Sequence, residues 1–174
     1  METNSVNQQV NTPAEMIISP EALLEHWQGH RRLTRKVIDA FPDDKLFGYS
    51  VAGMRSFGEM AIEIMDMSSD GMNGVVTGQW KPIDELDHAT GKSPVNTKEA
   101  VLKQWDQITE QLNQSWQQLS PERFLEVELA FGAYEGKIID TIFYFIDNEI
   151  HHRAQSFVYL RSLGIEPPAF WDRF

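Results

Sequence analysis

Between Gly136 and Leu163 the chain runs without a proline or an interior glycine, then meets Gly164, Ile165 and the pair Pro167-Pro168. A glycine suited to a left-handed cap, followed by prolines, is how a helix ends. A helix of that length needs neighbours on which to lay an apolar face, and the rest of the chain supplies them. Ser19-Pro20-Glu21 opens a first helix, with Ser19 as N-cap and proline at the first helical position. Leu23, Trp27, His30, Leu33, Thr34 and Val37 share its face, and Phe41-Pro42 ends it. A second helix is expected over 56–68, with Phe57, Met60, Ala61, Ile64 and Met67 on one side. Asn96-Thr97-Lys98-Glu99 has the form of a capping box and starts a third, which carries Val101, Trp105, Ile108, Leu112 and Trp116. Leu119-Ser120-Pro121 stops it, and the alternation over 124–129 predicts a short extended segment. The glycines and prolines of 69–96 predict a long irregular crossover after helix two. Four amphipathic helices with such a crossover predict an all-α fold, a four-helix bundle.

A chain of 174 residues closes one core. The expected domain spans 17–174, and the polar residues 1–16, with no basic n-region, are expected to form a flexible segment. No cysteine is present, which excludes disulfides, thiol nucleophiles and every cysteine-ligated metal site. The net charge of −11 argues against nucleic acid and anionic membrane as partners. No apolar run is long enough to span a bilayer, so the chain is expected to be soluble and cytoplasmic. The one basic cluster, Arg31-Arg32-x-x-Arg35-Lys36, is expected on the solvated face of helix one, because Leu33 and Val37 face the core. Phe143, Phe145, Phe157, Tyr159, Phe170 and Trp171 are expected mainly in core and terminal packing.

The last helix holds a polar cluster within its apolar stretch. Asn148, His152, Gln155 and Tyr159 step by four, three and four residues and so project from nearly one side. Two side chains at i and i+4 can hold one metal ion, although an asparagine is the weaker donor. Glu149, three positions before His152, can share that side. The alternative is that His152 is a hydrogen-bonded core histidine and its neighbours satisfy buried polar atoms. Glu63 stands amid Met60, Ala61, Ile62, Ile64, Met65 and Met67 and needs a partner if buried. A metal ion, protonated His152 or Arg153 would each serve, as would a boundary position reaching solvent. His30, on the apolar face of helix one, is a candidate wall residue of the same interior.

At these residues the chain resembles the DinB/YfiT-like family. Glu149-Ile150-His151-His152-Arg153-Ala154-Gln155 and Tyr159-Leu160-Arg161-Ser162-Leu163-Gly164-Ile165-Glu166-Pro167-Pro168 are similar to that family's C-terminal motif. Met54-Arg55-Ser56-Phe57-Gly58-Glu59-Met60 is similar to its entry to helix two. The resemblance implies an up-down-down-up bundle, commonly a homodimer, with a divalent metal (Zn, Ni, Mn or Fe) at a three-histidine site. Those three positions fall on Glu63, Asn148 and His152, so two of the histidines are replaced. Either an oxygen-rich metal site survives or the ion is lost and Glu63 bonds Asn148 and His152 directly. The resemblance further implies a metal-dependent transferase or hydrolase-like enzyme acting on a small-molecule substrate with a low-molecular-weight thiol. His30, Glu149, His151, Gln155 and Tyr159 would then support the site or line its pocket. The alternative is a metal-free dimeric bundle that binds a small ligand or a partner.

Overall fold

The computed structural model describes residues 18–174; the expected N-terminal segment 1–16 lies outside them. Helix α1 spans Pro20–Ala40, and the Ser19 hydroxyl accepts from Ala22 N as its cap. Helix α2 spans Phe57–Asp66 and opens on a capping box, with Ser56 and Glu59 bonding each other's backbone N–H. That reciprocal bonding is the physical content of the Ser56-Phe57-Gly58-Glu59 motif.

Helix two is longer than its pattern suggested. After Asp66 the rod continues through a π-helical turn, Met67–Gly71, into α3, Met72–Thr77. Gly71 and Gly74 therefore lie inside a helix, where they admit large neighbours rather than mark a loop. A Cβ at Gly74 would lie 2.3 Å from the Trp80 ring, and one at Gly71 2.7 Å from Phe145. The irregular crossover begins only at Gly78 and contains a 3-10 turn, Ile83–Glu85, and the short α4, Asp87–Thr90.

Helix α5 spans Lys98–Trp116. Its cap is Thr97, accepting from Ala100 N; the expected box does not form because position three after the cap is an alanine. The extended segment is strand β1, Val127–Ala130, preceded by a 3-10 turn at Arg123–Leu125. It pairs antiparallel with β2, Tyr134–Lys137, which takes residues assigned by pattern to the start of the last helix. Helix α6 therefore runs Ile138–Ser162, and Gly164, at φ 76°, follows it in the left-handed region as expected. The fold is an all-α bundle of four rods, α1, α2–α3, α5 and α6, with one small hairpin at the end where α6 begins.

Two apolar half-cores fill the bundle. Trp27, Met67, Leu112, Trp116 and Phe145 pack in one, and Val37, Phe57, Met60, Trp105 and Leu160 in the other. Each large side chain so buried contributes about 1.5–3 kcal/mol. Of the six aromatics expected mainly in core and terminal packing, Phe145 and Tyr159 are core residues, whereas Phe143 on α6 and the terminal Phe170 and Trp171 are exposed.

A polar belt separates the half-cores, and Arg31 is at its centre. The expectation that the whole basic cluster is solvated fails here: Arg31 is fully buried, while Arg32, Arg35 and Lys36 bond Glu25, Asp106 and Asp172. Arg31 donates to Thr109 Oγ1, Ser68 Oγ and Trp105 O, and its guanidinium lies 4.0 Å from the Trp105 ring centroid. Glu149, also fully buried, accepts from Trp27 Nε1 at 3.2 Å and Thr34 Oγ1 at 2.6 Å. It lies 4.0 Å from Arg31 and 3.9 Å from Arg153. One carboxylate thus serves two buried guanidinium groups, which repays the desolvation of a charge placed between apolar layers.

His30 closes the belt at the surface side of α1. Arg153 Nη2 lies 2.9 Å from its Nδ1, and Arg173 Nη1 lies 3.3 Å from its Nε2. Burial, with Arg153, Arg173 and His26 as positive neighbours, pushes its pKa down to about 3. The folded chain therefore keeps His30 neutral where the unfolded chain takes a proton. Its contribution to stability is whole above the ordinary value of 6.5 and is lost as pH falls from there toward 3. Urea midpoints measured at pH 7 and pH 4.5 are expected to differ less in His30→Asn than in the wild type; an unchanged difference would refute this assignment.

Candidate functional site

Helix α6 turns a second polar face toward α2. Asn148 and His152, one turn apart, meet Glu63 there. Glu63 Oε1 accepts from Asn148 Nδ2 at 2.8 Å and lies 3.1 Å from His152 Nε2. Its other oxygen, Oε2, accepts from Arg55 Nη2 at 2.6 Å. Gln155, three residues after His152, sets Oε1 2.8 Å from His152 Nδ1. With Gln155 Oε1 as acceptor, Nδ1 carries the proton; Nε2 is aimed at the carboxylate. Burial works against the charge of Glu63, but hydrogen bonds from His152, Asn148 and Arg55 outweigh it and hold the carboxyl well below the usual range. An ionised oxygen facing an imidazole nitrogen at 3.1 Å needs a positive charge between them, either a proton or a metal ion.

Of the residues singled out by pattern, Glu63, Asn148, His152 and Gln155 come together. Tyr159 is buried beneath them and donates from its hydroxyl to Arg55 O at 2.9 Å, which fixes the segment that delivers Arg55. His151 is exposed beside His152, with ring centroids 5.0 Å apart. Glu149 and His30 are buried but belong to the belt on the α1 side, because Glu149, the next residue after Asn148, is turned about 100° around α6 from it. Two residues of the site lacked a sequence assignment. Arg55 lies before α2, where no periodicity ties it to Glu63. Tyr144 lies one turn before Asn148, and the spacing 144, 148, 152 was there to be read. Its hydroxyl is beside Asn148; burial and the Glu63 charge raise its pKa.

The sequence profile of the DinB family matches residues 8–173. The chain belongs to the DinB family. A DinB-like protein of Bacillus subtilis, YjoA, and another of Bacillus cereus ATCC 10987 share its fold, each at a TM-score of 0.67 and 18% identity. Each likeness covers 86% of this chain, with 97% of the first and 95% of the second. No curated protein matches the sequence.

Whether this DinB chain's residues suit the divalent metal that the resemblance implies turns on Asn148. Among the described residues no three His, Asp or Glu side chains gather as a metal-holding group, so the third donor must be the Asn148 amide oxygen. That oxygen, Oδ1, is buried and has no hydrogen-bond partner in the described structure. A half-turn of the amide exchanges Oδ1 with Nδ2, bringing the unpartnered oxygen to the place that now faces Glu63. Oxygen, oxygen and imidazole nitrogen then converge at spacings of 2.8 and 3.1 Å from Glu63 Oε1. Adjacent ligands of one ion with bonds of about 2.1 Å stand about 3 Å apart. The donors fit a divalent cation, with Arg55 leaving it one carboxylate oxygen.

Proposed function

We propose that this DinB-family chain is a metal-dependent enzyme acting on a small molecule, with Glu63, Asn148 and His152 holding one divalent cation. The observation that carries the proposal is the buried, unpartnered Asn148 Oδ1 beside an ionised Glu63 and a His152 Nε2 turned toward that carboxylate. Two oxygens and one nitrogen favour manganese or iron(II) relative to zinc. When bound, the cation supplies positive charge that stabilises the thiolate form of a low-molecular-weight thiol, the cosubstrate we propose. A chain without cysteine requires that sulfur to come from outside.

The protein's own groups have separate tasks. Gln155 holds the His152 ring so that Nε2 faces inward, and Tyr159 holds the backbone that places Arg55. Arg55 neutralises the Glu63 charge from the solvent side and so opposes a cation. Arg55→Gln is therefore expected to tighten Mn²⁺ binding about tenfold, roughly 1.4 kcal/mol, as read by calorimetric titration. Equal or weaker binding in the variant would count against the site.

A second reading draws on the amide as it now stands, with Asn148 Nδ2 donating to Glu63. In that reading a protonated His152 and Glu63 form an ion pair, and the bundle binds a small ligand without metal.

A further inference from the structure

Beside this site, a cavity of about 270 Å³ opens where the hairpin meets the start of α6. Phe131 forms part of its wall and is fixed by edge contacts to Trp80 and Phe145, with centroids 5.2 and 6.0 Å apart. Tyr134 and Tyr144 also line it, although 60% and 55% exposed. Exposed aromatic rings flanking a concave apolar wall are unusual on a protein surface and mark a place where something packs. Asp140, exposed on the first turn of α6, is the acidic side chain of the lining, whereas Glu135 follows Tyr134 on β2 and so faces the other side of the hairpin. Elsewhere on the surface Glu25, Asp106 and Asp172 bond arginine or lysine, but the cavity lining contains no basic residue.

We infer that this pocket takes a small ligand with an aromatic body and a protonated amine. The ring packs between Tyr134 and Tyr144 against Phe131, and the ammonium is held by Asp140. Carboxylates attract the charge, and aromatic faces add cation–π attraction rather than repelling it. The net charge of −11 draws cations toward the surface and disfavours anionic ligands. A cavity of this size holds about ten non-hydrogen atoms, which suits an arylalkylamine. Tyr144 is shared by both places: it lines the cavity, and its hydroxyl is beside Asn148. The Tyr144 side chain is therefore the link between the pocket and the site at Asn148. That this amine is the enzyme's substrate class rests on the metal-centre reading; that the pocket binds it does not.

The probes are phenethylamine and its neutral counterpart 2-phenylethanol, titrated by calorimetry and by the NMR shift of the Gly136 amide, with Mn²⁺ titrated in parallel. The amine is expected to bind at least tenfold more tightly than the alcohol and to shift Gly136. Tyr144→Ala is expected to weaken it tenfold or more, and Asp140→Asn to reduce it to the level of the alcohol. Equal binding of the two probes, or amine binding that ignores these variants, overturns the inference. Amine selectivity without Mn²⁺ binding supports the pocket and refutes the metal centre. Mn²⁺ binding without amine selectivity does the reverse.

Discussion

Glu149→Ala is expected to cost about 3–5 kcal/mol of folding stability, the largest effect of any single replacement considered. The reason is the charge that remains. Arg31 and Arg153 are both buried, and Glu149 is the carboxylate within 4.0 Å of each. Removing it leaves two guanidinium groups between apolar layers, together with an unpaired Trp27 Nε1 donor, while the Thr34 hydroxyl still has His30 O at 3.0 Å. Against a total stability of about 5–15 kcal/mol for a domain, that is a large share. Urea unfolding should show the midpoint falling steeply. Replacing Arg31, Glu149 and Arg153 together by apolar residues of similar size should recover much of the loss, since the stranded charge is then gone. A loss below about 1 kcal/mol for Glu149→Ala alone would mean that the belt is not what fixes α1 against α6.

His152→Ala and Asn148→Asp are expected to change cation binding in opposite directions. His152 supplies the nitrogen donor, and its loss leaves a carboxylate already shared with Arg55, so Mn²⁺ binding should disappear at millimolar concentration. Asn148→Asp converts a neutral oxygen donor into an anionic one and should tighten Mn²⁺ binding at least tenfold. Without metal, the same variant sets two carboxylates where 2.8 Å now separates Nδ2 and Oε1. The apo protein should therefore melt lower than the wild type and regain stability with Mn²⁺, as mass action requires. If Asn148→Asp is destabilised and Mn²⁺ does not rescue it, the metal-free reading stands instead.

The bundle was legible because its rods announce themselves locally. Ser19, Thr97, Gly164 and the apolar steps from Leu23 to Val37 each carry their own signal within one or two turns. What stayed hidden depends on distant neighbours. Arg31 lies in helical phase between Trp27 and Thr34, so the pattern permitted burial, but its partners, Glu149 on α6, Trp105 and Thr109 on α5, and Ser68, come from distant parts of the chain. Gly71 and Gly74 resemble loop glycines until Phe145 and Trp80 are brought against them. Tyr134–Lys137 shows no alternation of its own and becomes a strand because β1 pairs with it. The site divides in the same way. Asn148, His152, Gln155 and Tyr159 share a helix and could be read from spacing, whereas Arg55 reaches Glu63 from outside any helix.

The position of the Asn148 amide decides between a proton and a metal ion in the contact of Glu63 with His152, and one titration reads the outcome. Mn²⁺ added to the purified, chelator-treated wild-type protein is followed by the electron paramagnetic resonance of the free ion. The metal centre predicts that the free signal is suppressed until one equivalent has been added, and that His152→Ala removes the suppression. A free signal that rises in proportion to added Mn²⁺ from the first aliquot would contradict it.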